Sequence, residues 1–221
     1  GVAPNATLMH AKGLGDDGSG SFSNVTNSMQ WAVENNADIL SLSLGSTGTD
    51  SAFIEPVRNA QSAENGTIVI AASGNTPSDT SDSPGNIYNA TAVGSTDLEP
   101  DYGSSSVTDD EISGFSSGEE LNNTDWSKYP NDWPDQYTVP DVVAPGNHIW
   151  SADTNLNTQT HSEFDTDELT YKSGTSMATP HVAGVAALME AQTESDLTPK
   201  EIKSTLRSTA NKTNLTDPKR D

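Results

Sequence analysis

Ser176 stands where a small polar turn, Lys172-Ser173-Gly174-Thr175, runs into a stretch with almost no polar face. From Val182 to Met189 every residue is apolar or small. That pattern predicts a helix buried on all sides. The N-terminus of such a helix points unpaired backbone N–H groups and the positive end of the helix dipole into the protein. A hydroxyl placed there can act as a nucleophile, because the same N–H groups favour the oxyanion that forms when a carbonyl is attacked. The plainer alternative is that Thr175 or Ser176 only caps the helix, the usual role of a hydroxyl before a helix. Gly174 permits a sharp entry. Pro180 is expected within the first turn, where its missing N–H does no harm.

A site of this kind needs elements to hold it, and the chain alternates apolar runs with helical patterns. Thr7 to Ala11 reads as a short strand, and Asp16–Ser21 as a turn rather than a calcium loop, since it lacks alternating acids and a distal Glu. Phe22, Val25, Met29, Ala32 and Val33 recur at helical spacing, with Ser23 or Asn24 as caps. Ala37–Gly45 reads as a buried strand, Ala52 to Ala63 as a second helix, and Gly66–Asn75 as another apolar strand ending in small residues. Ala90–Thr96 and Pro140–Gly146 look similar. Helices between strands that are apolar on both faces predict a parallel sheet covered by helices. Ligands bind at the carboxyl ends of the strands in such sheets, where Ser43-Leu44-Gly45 and Ser73-Gly74-Asn75 fall. Thr76–Ser83 and Ser116–Tyr137 read as loops, the second a packed one because it carries Trp126, Tyr129, Trp133 and Tyr137.

The chain has 221 residues and no cysteine, which excludes disulfides and thiol catalysis. Its 32 acidic residues face only 10 basic ones, for a net charge of −22. So acidic a surface repels nucleic acid and anionic membranes. The acids are spread along the chain, which points to adaptation to concentrated salt rather than to an acidic tail for a partner. No apolar run is long enough to span a membrane.

The string G-T-S-M-A-T-P-H-V-A-G, Gly174 to Gly184, resembles the nucleophile motif of the subtilisin-like serine peptidases. It does not fit the G-x-S-x-G elbow of esterases, because Ala178 stands where the second glycine is required. "AVENNADILSLSLG", "IVIAASGN", "SPGNIYNATAVGSTD", "ISGFSSGE" and "PDVVAPG" resemble further landmarks of that family in its order. The resemblance implies an α/β fold: a three-layer αβα arrangement with a mostly parallel sheet, incomplete at both ends, forming one peptidase domain over 1–221. It implies a serine endopeptidase with Ser176 as nucleophile and Asn75, whose alternative is a turn asparagine, as oxyanion donor beside the Ser176 N–H.

By the same resemblance, Ser43, Leu44, Gly45, Ala72, Ser73 and Gly74 flank the pocket for the side chain before the scissile bond and pair with an extended polypeptide. Asp82 lies near the floor of that pocket, where an acid favours Arg or Lys; the alternative is one more surface acid. The family's aspartate and histidine are expected upstream of residue 1, since its His-Gly-Thr-His segment is not in the sequence. His181 belongs to the motif and is not the base; His10, His148 and His161 have no matching role. The chain alone is then expected to be inactive. No cofactor is required, though calcium can bind the full-length enzyme, and a weaker cation site is conceivable near Gly85 to Ala90. The parent enzyme is expected to be a secreted monomer working in salty surroundings. The rival reading is a non-catalytic remnant that still binds extended peptides. The N-x-Thr sequons at Asn5, Asn65 and Asn89 carry no argument about use.

Overall fold

In the computed structural model, which describes residues 1–63, 66–77, 79–97, 111–152, 169–192 and 197–211, the elements follow in chain order. They are α1 (Phe22–Glu34), β1 (Ile39–Leu42), β2 (Ser46–Thr47), α2 (Ile54–Ser62), β3 (Ile68–Ala72), β4 (Asp82–Ser83), β5 (Thr91–Asp97) and β6 (Glu111–Ile112). After these come β7 (Glu119–Asn122), β8 (Gln136–Val139), β9 (Val142–Pro145), β10 (Ile149–Ala152), β11 (Leu169–Lys172), α3 (Thr175–Glu190) and α4 (Pro199–Thr209). His161, Asn65 and part of the Thr76–Ser83 loop lie outside the described residues.

The central sheet is the expected one. β1, β3, β5 and β9 run parallel, and among the described residues only β6 joins antiparallel, against the end of β5. β3 is buried at every position, so its side chains serve two cores. Val69 and Ala71 join Val25, Met29, Leu42, Ile54 and Val57 beneath α1 and α2. Ile68 and Ile70 join Val93, Val142, Ala178, Val182, Ala186 and Ile202 beneath α3 and α4. Alternation along the strand therefore builds three layers, helices–sheet–helices. Each of those branched side chains contributes about 1.5–3 kcal/mol relative to exposure.

Several local expectations are corrected. Thr7–Ala11 is not a strand; Leu8 is 90% exposed and no strand among the described residues pairs with it. α1 is capped by Ser21, whose side chain accepts from the Asn24 N–H, not by Ser23 or Asn24. β1 is shorter than Ala37–Gly45 and only partly buried, because it is the edge strand of the sheet. α3 is not buried all round. Its Val182 and Ala186 face the sheet, while Val185 and Leu188 are more than 40% exposed on the other side.

The Ser116–Tyr137 segment is packed, as its aromatics require. β7 and β8 pair as an antiparallel hairpin. Trp126 and Trp133 are buried and meet edge-to-face at 5.4 Å. The Trp133 indole N–H also donates to Asn89 Oδ1.

Candidate active site

The N-terminus of α3 is built around Thr175. Gly174 is the N-cap and makes no side-chain capping bond, so neither Thr175 nor Ser176 serves as a cap. The Thr175 backbone N–H donates to Asn75 Oδ1 at 2.8 Å. An N–H can only donate, so this bond fixes which end of the Asn75 amide is oxygen. The buried Thr175 hydroxyl lies 3.1 Å from the same Oδ1 and 3.2 Å from the Gly74 carbonyl, and it accepts from the Gly74 N–H at 3.3 Å. Asn75 is thus held by its oxygen, with its Nδ2 donors taken by no acceptor among the described residues. A side-chain amide pinned in this way, on an exposed residue beside a helix N-terminus, is an arrangement that can receive an oxyanion.

Ser176 is the second residue of α3 and is half-buried. Two bonds clamp it to the end of β1: Ser176 Oγ donates to the Ser43 carbonyl at 3.2 Å, and Ser43 Oγ donates to the Ser176 carbonyl at 2.7 Å. The second bond exists because of Pro180. Pro180 lies in the second turn of α3, not the first, four residues after Ser176. It has no N–H to give the Ser176 carbonyl, which is therefore left for Ser43.

No base reaches the Ser176 hydroxyl among the described residues. His181 lines the same open groove as Ser176, but its Nδ1 is engaged with the Met177 carbonyl at 2.9 Å. His148 packs on Tyr171, and His10 is exposed.

Beside Ser176 run the two segments expected to flank substrate, and they are not equivalent. Leu44 and Gly45 continue the open edge beyond β1, and their backbone groups have no hydrogen bond among the described residues. The Ala72–Gly74 side is already satisfied within the chain. The Ser73 N–H goes to Val93, the Asp82 N–H comes to Ser73, and the Ser117 N–H comes to Gly74. That side is closed to further backbone pairing, and among the described residues the unpaired backbone groups beside Ser176 are those of Leu44 and Gly45.

Asp82 sits between the two segments. A Cβ on Gly45 would stand 2.9 Å from the Asp82 Cβ, and one on Gly74 would stand 2.7 Å from the Asp82 carboxylate. Gly74 also has φ +115°, which disfavours any side chain there. The two glycines let both segments pack closely against the Asp82 side chain. Asp82 Oδ1 is buried and has no hydrogen-bond partner. Burial pushes the Asp82 carboxyl above its ordinary range, opposed by a hydrogen bond from Thr47.

The segment 85–90 does not fit a dissolved cation. Its Tyr88 and Ala90 carbonyls already receive the Lys203 ammonium, which is also paired with Asp141. Among the described residues, no three His, Asp or Glu side chains gather where they could hold a metal ion.

Two contributors were missed in the sequence. Thr175 orients Asn75, and its adjacency to Ser176 was the available signal. Lys203 had none, because its partners lie more than 60 residues away in sequence.

The comparisons with known proteins converge. The model of the Subtilase family matches residues 1–221. The chain is 35% identical over 190 residues to an alkaline protease of Alkalihalobacillus alcalophilus, covering 86% of this chain and 39% of that protein. It is 32% identical over 212 residues to thermitase of Thermoactinomyces vulgaris, covering 96% of this chain and 60% of that one. Among solved structures it superposes on a cold adapted subtilisin-like serine proteinase with a TM-score of 0.66 at 29% identity, covering 92% of this chain and 60% of that chain. Sphericase gives a TM-score of 0.67 at 27% identity, covering 89% and 58%. The chain thus spans 39% to 60% of the length of these relatives.

Proposed function

The chain belongs to the subtilase family, and on that premise we propose that it carries the nucleophile half of a serine endopeptidase site. The Ser176 hydroxyl attacks the scissile carbonyl and forms an acyl-enzyme ester, which water then hydrolyses. Asn75 Nδ2 and the Ser176 backbone N–H stabilise the oxyanion. The extended substrate pairs with Ser43–Gly45, and its side chain before the scissile bond enters the slot walled by Ala72–Gly74. The observation that carries this reading is the Asn75 amide, pinned through Oδ1 by Thr175, the residue next to Ser176, with its donors left over. The aspartate and histidine that activate the serine come from outside the described residues, so the chain by itself turns over slowly. Residues 1–221 form part of one peptidase domain, monomeric, in a secreted enzyme adapted to salt. No helix among the described residues is long and apolar enough to cross a membrane.

The test is release of p-nitroaniline from acyl-tetrapeptide p-nitroanilides by the intact protein, in concentrated KCl. Serine-directed acylation should abolish it. Binding of the peptides without any cleavage would instead favour the remnant reading.

Asp82 confers a preference for a basic side chain before the scissile bond. Its dry, unpartnered oxygen and its place between Gly45 and Gly74 support this. Asp82→Asn should lower the Arg-over-Leu ratio of kcat/KM by about 10- to 100-fold, the range of one charge-assisted hydrogen bond. An unchanged ratio would refute the assignment.

The pH dependence follows. The preference requires the carboxylate, so it should fade on acidification at a higher pH than an ordinary aspartate would allow. The stability effect has the opposite sign from a paired carboxylate. The folded state holds the Asp82 proton more tightly than the unfolded one, so this group's contribution falls as pH rises from 3.8 through the raised folded value. Asp82→Asn should therefore melt above wild type at neutral pH, with the gain gone below 3.8.

A further inference from the structure

Asp82 and Ser83 make up β4, so whatever holds Ser83 also holds Asp82. A run of hydrogen bonds leads from Ser83 to the surface of β7. The Asp50 backbone N–H donates to Ser83 Oγ at 2.8 Å, and Ser83 Oγ donates to Asn86 Oδ1 at 2.6 Å. Asn86 Nδ2 donates to the Gly48 carbonyl at 3.1 Å and to Ser81 Oγ at 3.0 Å. Ser81 Oγ donates to Glu119 Oε2 at 2.7 Å. Ser81, Ser83 and Asn86 are fully buried.

A carboxylate can only accept, so Glu119 fixes the direction of the whole run. The Ser81 hydroxyl gives its proton to Glu119 and therefore accepts from the Asn86 amide. That orientation turns Asn86 Oδ1 toward Ser83, which donates to it and keeps a lone pair for the Asp50 N–H. Donors aligned in one sense and ending on a charge strengthen one another. Glu119 is partly buried, and among the described residues no Lys or Arg pairs with it. Burial raises its carboxyl above the ordinary range, the Ser81 bond opposes this, and Asp125 and Asp79 raise it further. Ion pairing therefore does not account for an acid at this position, whereas the bond to Ser81 does. We propose, on the peptidase reading above, that Glu119 is a positioning residue: through Ser81, Asn86 and Ser83 it holds β4, and with it Asp82, beneath the substrate side chain.

The hairpin that carries Glu119 holds Asn86 a second time. The Tyr137 hydroxyl, on β8, donates to the Asn86 carbonyl at 2.8 Å, and β8 is paired with β7. Asn86 is thus gripped by its side chain, through Ser81, from β7 and by its backbone from β8. The Gly48 carbonyl that it also binds follows β2, where Ser46 pairs with Ser83 and Thr47 with Asp82. The network therefore closes around both strands of the slot floor. A substrate side chain long enough to reach that floor depends on Glu119, and a methyl group does not.

The experiment is steady-state cleavage, by the intact protein in concentrated KCl, of peptide p-nitroanilides that differ only in the residue before the scissile bond: Leu, Arg or Ala. Glu119→Ala should lower kcat/KM for the Leu and Arg peptides by about 3- to 10-fold, the range that one hydrogen bond spans, and chiefly through KM. The Ala peptide should be cleaved as well as by wild type. Glu119→Gln keeps an acceptor oxygen and should stay near wild type on all three. Ser81→Ala should reproduce Glu119→Ala, and the double variant should lose no more than either, because both break one run. Equal losses on all three peptides, no loss, additive losses, or a Glu119→Gln as poor as Glu119→Ala would each overturn the inference. Ser81→Ala carries the same prediction where Glu119→Ala does not fold. Loss of the fold in both would also overturn it, since a positioning role leaves the fold intact. A wild type that cleaves none of the peptides overturns the peptidase reading itself, and the inference with it.

Discussion

Replacing Ser176 by alanine should remove essentially all peptide hydrolysis by the active enzyme while leaving KM close to wild type. The split follows from where the residue sits. Loss of the hydroxyl gives up its 3.2 Å bond to the Ser43 carbonyl, but Ser43 Oγ still holds the Ser176 carbonyl, so the Ser43–Gly45 edge stays in place and substrate still binds. The acyl-enzyme cannot form, and attack by water is left with only binding and the oxyanion donors. That residue of catalysis is about 10³–10⁴-fold over water, against a loss of roughly a millionfold from the intact site; both figures are those known for subtilisin, a member of this family. Steady-state kinetics with a p-nitroanilide peptide checks the split. A large rise in KM would mean that Ser176 matters for binding, and the nucleophile assignment would fail.

Asn75→Ala should cost about 100- to 1000-fold in kcat, again with little change in KM. The size is that measured for the corresponding donor in subtilisin and is not a result of this geometry. What the geometry adds is the reason for the split. The Asn75 donors are not used by any described residue in the resting protein, so they act only when negative charge develops on the carbonyl oxygen. Thr175→Val should lose less, because the Thr175 backbone N–H still pins Asn75 Oδ1 once the hydroxyl is gone. A Thr175→Val defect equal to that of Asn75→Ala would show that the hydroxyl, rather than the backbone, sets the amide.

What the sequence disclosed is what short-range pattern encodes. The β3 run is apolar on both faces because both cores need it. The Ser176 motif and the Asn75 turn were legible for the same reason, since each is a contiguous string. Three readings failed because they depended on neighbours. Thr7–Ala11 has the composition of a strand but no partner among the described residues. Val182–Met189 is apolar all round, yet only the face toward the sheet is covered, a matter of what packs on α3 and not of α3 itself. The apolar run that begins at Val182 puts Pro180 in the first turn; the helix starts at Thr175, so Pro180 falls in the second turn and frees the Ser176 carbonyl for Ser43. The Lys203–Asp141 pair and the unequal edges of the slot are products of topology and carry no local signature.

The central claim is that Ser176 is a nucleophile facing a ready oxyanion site. The most direct test is treatment of the intact enzyme with a fluorophosphonate, followed by peptide mapping, with Ser176→Ala as control. The account predicts one adduct, on the peptide containing Gly174-Thr175-Ser176, absent from Ser176→Ala and much slower in Asn75→Ala. An adduct on another residue, or labelling that survives Ser176→Ala, would contradict it.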